Sequence, residues 1–94
     1  AIAISLVEKK LNEWKNVGAA NLAETGINPD IVDGCFSTEC ERVPYGDITY
    51  YVNTTIVPLD TTDQRFKEVS VAAGWNDLLG RPRSEAAATV MFQE

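Results

Sequence analysis

Hydrophobic residues near the start of the chain follow one another at intervals of three and four, with polar residues between them: Ile4, Val7, Leu11 and Trp14. Residues at this spacing share one face of an α-helix, so the pattern predicts an amphipathic helix with these four side chains facing inward. Gly18 weakens a helix by about 1 kcal/mol relative to alanine, but good helix formers follow it. We therefore expect a long helix over residues 1–25, with Gly26 as its C-terminal stop.

The later part of the chain alternates apolar and polar residues with the period of a β-strand. Residues 47–57 are rich in β-branched and aromatic side chains, and one side of this run carries Ile48, Tyr50, Val52, Thr54 and Ile56. Two further alternating runs, 66–75 and 84–92, flank a polar turn with glycine and proline and predict a closing hairpin. We expect the apolar residues of these two strands to face each other: Val69, Val71, Ala73 and Trp75 against Ala86, Ala88, Val90 and Phe92.

The connection between helix and sheet, residues 26–44, has no period of its own and predicts a long irregular loop, although part of 27–44 stays open as a fourth strand. The strands have apolar faces that need cover, and the helix has a free apolar stripe. The sequence therefore predicts an α+β fold in one domain of 94 residues. In this fold a long N-terminal helix packs on a three- or four-stranded antiparallel meander formed by residues 45–94.

Cysteine usage indicates the redox compartment. Cys35 and Cys40 are the only cysteines and lie within the predicted connection. An intrachain disulfide is the economical interpretation, because closing so short a loop stabilises by about 2 kcal/mol and such bonds persist in secreted or periplasmic proteins. The alternative is a pair of free or metal-binding thiols.

Composition limits the classes of function. The formal net charge is −6, which argues against nucleic acid and anionic lipid surfaces as partners. The chain has no histidine, so histidine-based catalytic triads and zinc sites are excluded. The serines lack a histidine to activate them, and no pair of carboxylates can be assigned to a common site from spacing. We expect a protein that is not an enzyme and holds no cofactor or metal.

A few short motifs are weaker candidates for a site. Asp60 and Asp63 offer oxygen ligands for calcium, but they lack the ligand spacing of a dedicated calcium loop, so a turn is the more probable role. Arg81 and Arg83 flank a proline in the last turn and fit either an acidic partner or a solvated hairpin tip. The glycosylation sequon that begins at Asn53 is explained by the strand alone.

Two stretches of the chain carry a resemblance to a known family. Residues 6–14, Leu-Val-Glu-Lys-Lys-Leu-Asn-Glu-Trp, and residues 69–84, which contain Trp75-Asn76-Asp77 and Gly80-Arg81-Pro82-Arg83-Ser84, resemble the corresponding segments of type IV pilin-like proteins. The resemblance is to minor pilins and minor pseudopilins of the PilV and GspI type. It spans both ends of the chain and the order of its elements.

The resemblance implies a structural subunit that takes part in priming or tip assembly of a type IV pilus or a type II secretion pseudopilus. Its partners are other pilin or pseudopilin subunits and the assembly machinery, and it is held in the bacterial inner membrane, with its domain in the periplasm, by an N-terminal helical segment absent here. Subunit packing is implied for Ile2, Ile4, Leu6 and Leu11. A loop interface is implied for Asp30, Asp33, Glu39 and Glu41.

Alternatives remain both for the roles of these residues and for the class of protein. Leu11 and Trp14 fit the core of the domain itself better than a neighbour, and the four acidic residues fit a solvated or cation-binding loop surface as well as an interface. A small secreted binding or inhibitor module would also be acidic, closed by a disulfide and free of catalytic residues, but it should have a complete helix start. The absence of a capping residue before Ile2 favours the pilin interpretation, because it indicates that the helix begins upstream of Ala1.

Overall fold

One helix packs on one face of a four-stranded antiparallel sheet in the computed structural model, which describes residues 2–18, 22, 25, 34–58 and 66–92. The elements are α1 (Ile2–Val17), β1 (Glu39–Tyr45), β2 (Ile48–Pro58), β3 (Phe66–Asn76) and β4 (Pro82–Phe92). The strands lie in the sheet in the order β1-β2-β3-β4 and each pairs antiparallel with the next. The predicted α+β meander is therefore confirmed.

Helix α1 is shorter than the sequence predicts. It ends at Val17, and Gly18 adopts the left-handed backbone conformation with a φ of 86°. A glycine in this conformation terminates a helix because it has no Cβ to clash with the preceding carbonyl. The expected continuation to Thr25 is not observed, since neither Leu22 nor Thr25 is helical.

The buried stripe of α1 is formed by Ala3, Val7 and Leu11, with Trp14 partly buried beside them. The prediction is correct for three of its four residues and wrong for Ile4, which is 44% exposed. Ala3 lies four residues before Val7, so it shares the same helix face. Its small side chain lets the first turn approach the sheet closely, so Ala3 rather than Ile4 begins the buried stripe.

The core lies between α1 and the face of the sheet formed by alternate residues of β2 and β3. The residues of β2 are those predicted: Tyr50, Val52 and Ile56 are buried, and Thr54 is buried with them at 1% exposure. Their neighbours in β3 are Val69, Val71 and Ala73, all fully buried. Burying a valine or isoleucine side chain contributes about 1.5–3 kcal/mol, and burying the methyl group of Ala73 contributes less.

Strand β1 lies within the segment predicted as a loop, so the open possibility of a fourth strand is confirmed. It pairs with β2 through a two-residue turn in which Gly46 has a φ of 64°. Pro44 and several charged residues conceal the strand in the sequence. Both are tolerated because β1 is an edge strand, where a backbone without an N–H donor can face away from the sheet.

The predicted pairing of β3 with β4 places the wrong face of β4 opposite the buried residues of β3. Val69 lies opposite Thr89 and Val71 opposite Ala87, so neither faces the predicted apolar partner. A shift of one residue moves every side chain of a strand to the other face of the sheet. As a result, four apolar or small residues of β4 lie on the outer face, away from α1, and are exposed: Ala86, Ala88, Val90 and Phe92.

Candidate functional site

The residues proposed for subunit packing divide between surface and core. Ile2 is 37% and Ile4 is 44% exposed, on the first turns of α1. Leu6 is partly buried and packs against the core. Leu11 is buried within it, at 8% exposure, so it belongs to the domain itself, as does Trp14. Of the four residues, Ile2 and Ile4 are available to a partner.

Trp14 is anchored by a hydrogen bond as well as by packing. Its indole N–H donates to Oγ1 of Thr54 at 3.1 Å, across the interface between helix and sheet. The Thr54 hydroxyl is therefore satisfied although the residue is buried. This contact fixes the rotation of α1 about its axis, and with it the position of Ile2 and Ile4 on the surface.

Cys35 and Cys40 form a disulfide, as predicted. The loop that the disulfide closes lies against the outer face of β2, where Asn53 holds it. The Asn53 carbonyl oxygen accepts the backbone N–H groups of Phe36 and Ser37 at 3.0 and 3.2 Å, and its amide donates to the Gly34 carbonyl at 3.0 Å. Ser37 also donates its hydroxyl to the backbone carbonyl of Thr54. The loop is thus attached to the sheet by side chains as well as by the covalent bond.

The same contacts account for the glycosylation sequon. Asn53 is 2% exposed, and its amide nitrogen, the atom that glycosylation would modify, donates a hydrogen bond. The strand and the loop together explain why an asparagine occupies this position, so the sequon carries no functional argument.

Glu39 and Glu41 lie on β1 rather than in a loop. The Lys10 ammonium forms an ion pair with the Glu41 carboxylate at 2.7 Å and a second ion pair with the Glu13 carboxylate at 3.0 Å. The hydrogen bond from Lys10 lowers the pKa of Glu41. Burial opposes ionisation of Lys10, but Glu41 and Glu13 together raise its pKa above the ordinary value. Glu41 thus helps to hold α1 on the sheet.

Two of the four acidic residues expected at the loop interface, Asp30 and Asp33, lie outside the described residues, as do Asp60 and Asp63 of the candidate calcium turn. Within the described part of the chain, no group of three or more cysteine or acidic residues is placed to hold a metal ion. Over the same residues, no helix is both long and apolar enough to cross a membrane.

The turn between β3 and β4 is organised by one carboxylate. Oδ1 of Asp77 accepts the backbone N–H groups of Leu79 and Arg81, each at 2.9 Å, and Oδ2 accepts Nε–H of Arg83 at 3.2 Å. The main chain adds two hydrogen bonds within the turn, and Gly80 takes a φ of 77°. The N–H of Arg81, together with Arg83 and the N–H of Leu79, lowers the pKa of Asp77. The turn is therefore held in one conformation although it is exposed.

This ordered turn presents two leucines to solvent. Leu78 is 80% and Leu79 is 76% exposed, the highest values among the large apolar residues described. Arg81 follows them and is exposed, whereas Arg83 is engaged by Asp77. The sequence pattern indicated the two arginines as candidates but not the two leucines. A pair of leucines between Asp77 and Gly80, where turns ordinarily carry polar residues, is the signal that could have found them.

Several hollows are bordered by described residues. Two hollows of about 50 and 80 Å³ lie along the contact between α1 and β1, around Lys10 and Glu41. An open groove of about 360 Å³ lies at the hairpin end of the sheet and is lined by Tyr51, Trp75 and Arg83, among others. Asn76 and Arg83 are its only side chains with amide or charged groups, and they offer no nucleophile paired with a base. The exposed apolar residues, rather than a cavity, are therefore the strongest candidates for a functional surface.

Comparisons with protein-family models, with curated proteins and with solved structures found no significant match to this chain.

Proposed function

We propose that this chain is the periplasmic domain of a type IV pilin-like subunit, a minor pilin or minor pseudopilin. Its role is structural: it takes part in priming or tip assembly of a type IV pilus or a type II secretion pseudopilus. In this role it is anchored in the inner membrane and binds other subunits and the assembly machinery, and then enters the filament.

The observation that carries the proposal is the division of the apolar residues of α1. Ala3, Val7 and Leu11 are buried on the sheet, whereas Ile2 and Ile4 are exposed on the first turns of the same helix. Ile2 and Ile4 keep 37% and 44% of their surface exposed, so a neighbour that covers the remainder gains about 1 kcal/mol for each, a fraction of the range for burying a whole isoleucine. Ile2 and Ile4 are two residues apart, so they project to different sides of the buried stripe. A helix that is docked by one face and keeps apolar residues exposed on other sides fits a subunit that packs its helix against more than one neighbour.

Two further features agree with this role. The order of elements, one helix followed by an antiparallel meander, is the order that the resemblance implies. The disulfide between Cys35 and Cys40 suits the oxidising periplasm. Both features also fit other secreted domains, so they support the proposal less strongly than the exposed isoleucines do.

The second candidate is a small secreted binding or inhibitor module. The ordered β3–β4 turn favours it, because a rigid loop that displays Leu78 and Leu79 loses little conformational entropy on binding. In this candidate the turn, rather than α1, is the functional surface.

The test is to express the complete gene in a Gram-negative cell and to sequence the N-terminus of the mature product. A methylated, hydrophobic N-terminus roughly 25–30 residues upstream of Ala1 is expected, a length set by the ~20 residues of a spanning helix and a short extension. A signal-peptide cleavage directly before Ala1 would contradict the pilin proposal and favour the binding module.

A further inference from the structure

Two exposed apolar surfaces lie at opposite ends of the β3–β4 hairpin. The first, which we call the tip, consists of Leu78, Leu79 and Arg81 in the ordered turn. Asp77 holds the backbone of the tip through two hydrogen bonds of 2.9 Å. The leucines therefore project in a fixed direction, and no described part of the chain covers them.

The second surface, which we call the outer patch, lies on the face of the sheet away from α1. It consists of four apolar residues around one carboxylate: Val57, Phe66, Val90 and Phe92 around Glu68. In the sheet register Glu68 lies between Val57 and Val90, and Phe66 lies opposite Phe92 with ring centroids 4.8 Å apart. The four apolar residues are 40–52% exposed.

The two surfaces lie too far apart to cover each other within one molecule. The outer patch is at the end of β3 that begins with Phe66, and the tip follows the other end, after Asn76. Eleven residues of strand at about 3.3 Å each separate them by roughly 35 Å, in a molecule 45 Å long. A second molecule is needed to bring a tip onto an outer patch.

The chemistry of the two surfaces is complementary. Two adjacent leucines need an apolar surface of two or three side chains, and the phenylalanine pair with Val90 supplies one. Arg81 brings a positive charge to the tip, and Glu68 brings a negative charge to the patch. Two copies of a chain with net charge −6 repel each other on average, so an interface that joins opposite charges offsets part of this repulsion.

We propose that the tip of one copy docks on the outer patch of the next. The leucines pack on Phe66, Phe92 and Val90, and Arg81 pairs with Glu68. The two surfaces differ and lie at opposite ends, so the contact is heterologous. Each added copy leaves one free tip and one free patch, and such a contact builds an open chain unless the rotation closes a ring. This deepens the proposed filament function, on which its biological role rests, by naming a contact between successive subunits.

The first measurement is sedimentation of the isolated 94-residue domain at increasing concentration, up to about 1 mM, the limit of weak binding. We expect a continuous series of growing oligomers. Leu78→Ser with Leu79→Ser removes the tip, and Val90→Ser with Phe92→Ser removes the patch; each double variant alone should be a monomer. Tyr45→Ser, which removes another exposed aromatic residue, is the matched control and should behave as the parent.

Mixing the two double variants gives the decisive result. The tip variant keeps its patch and the patch variant keeps its tip, so the mixture should form a 1:1 heterodimer that does not grow further. A second arm tests the charge pair: Glu68→Lys should weaken association at least about tenfold, and mixing it with Arg81→Glu should restore it.

A parent domain that stays monomeric would overturn the proposal, as would tip variants that still oligomerise or a mixture that forms no heterodimer. A parent that stops at a dimer would indicate a symmetric contact and contradict the proposal as well. None of these outcomes depends on how the N-terminus is processed in the cell, so the docking proposal and the filament proposal fail separately.

Discussion

At the scale of single residues, Asn53 is the clearest case of a polar side chain that maintains the fold. It is buried in the sheet and makes three hydrogen bonds to the backbone of the disulfide loop. Asn53→Ala leaves two N–H groups and one carbonyl without this partner, and we expect a loss on the order of 3 kcal/mol in the free energy of unfolding. Urea denaturation measures this loss.

Thr55→Ala is the control for Asn53→Ala, because Thr55 lies two residues along the same face of β2. It should cost less than about 1 kcal/mol. A loss below 1 kcal/mol for Asn53→Ala would mean that water replaces the amide, and that the disulfide alone holds the loop.

At the scale of elements, the β3–β4 turn predicts a pH dependence. The N–H of Arg81 contributes most to lowering the pKa of Asp77 below its ordinary value of 3.8, because hydrogen bonds favour the charged carboxylate. A group whose pKa is lowered by folding contributes stability at pH values above its unfolded pKa. That contribution is lost as pH falls through the lower, folded pKa. The turn should therefore stay ordered at pH 3.8 and loosen only when the pH falls below the lowered pKa of Asp77 in the folded protein.

NMR titration of the Leu79 and Arg81 amide signals measures this transition. Asp77→Asn is the matched variant, since it keeps an acceptor oxygen but cannot titrate, and it should remove the acidic transition from both signals. A midpoint at or above 3.8 in the parent would contradict the role of Asp77 as the residue that orders the tip.

The same elements separate what the sequence could predict from what it could not. The period of β2 identified the face that packs on α1 correctly, because Val52 and Ile56 share one face of the strand and the polar residues Asn53 and Thr55 lie on the other. The β3–β4 register was missed because both faces of β4 carry small or apolar residues, so alternation alone does not select one. Pro44 argued against a strand in the sequence, because proline is tolerated only at the edge of a sheet. The local sequence does not show that β1 lies at such an edge.

The candidate surfaces were predictable to different degrees. The packing role of Ile2 was an expectation from the pilin resemblance, because the helical pattern itself named only Ile4, Val7, Leu11 and Trp14. The outer patch was not predictable, because it exists only when β2, β3 and β4 place Val57, Phe66 and Phe92 side by side on one face. The tip had a local signal, two leucines inside a turn, but its rigidity depends on where the Asp77 carboxylate points.

At the scale of the whole molecule, the start of α1 and the two hairpin surfaces consist of different residues, so their functions should be separable. Ile2→Ser with Ile4→Ser changes exposed side chains and should alter the free energy of unfolding by no more than about 1 kcal/mol. Self-association of the isolated domain should not change, because the tip and the outer patch are intact. In cells, the same change in the complete gene product should abolish incorporation into filaments, measured by recovery of the subunit in sheared filament fractions.

Glu8→Ser with Asn12→Ser changes exposed polar residues of the same helix and should leave incorporation unchanged. If the isoleucine variant entered filaments as well as this control does, the start of α1 would not be a packing surface, and the observation that carries the pilin proposal would lose its force. The docking of tip on patch would be untouched by that result. Conversely, loss of incorporation in the tip variant, with Ile2 and Ile4 intact, would show that assembly needs both contacts, one through the helix and one along the sheet.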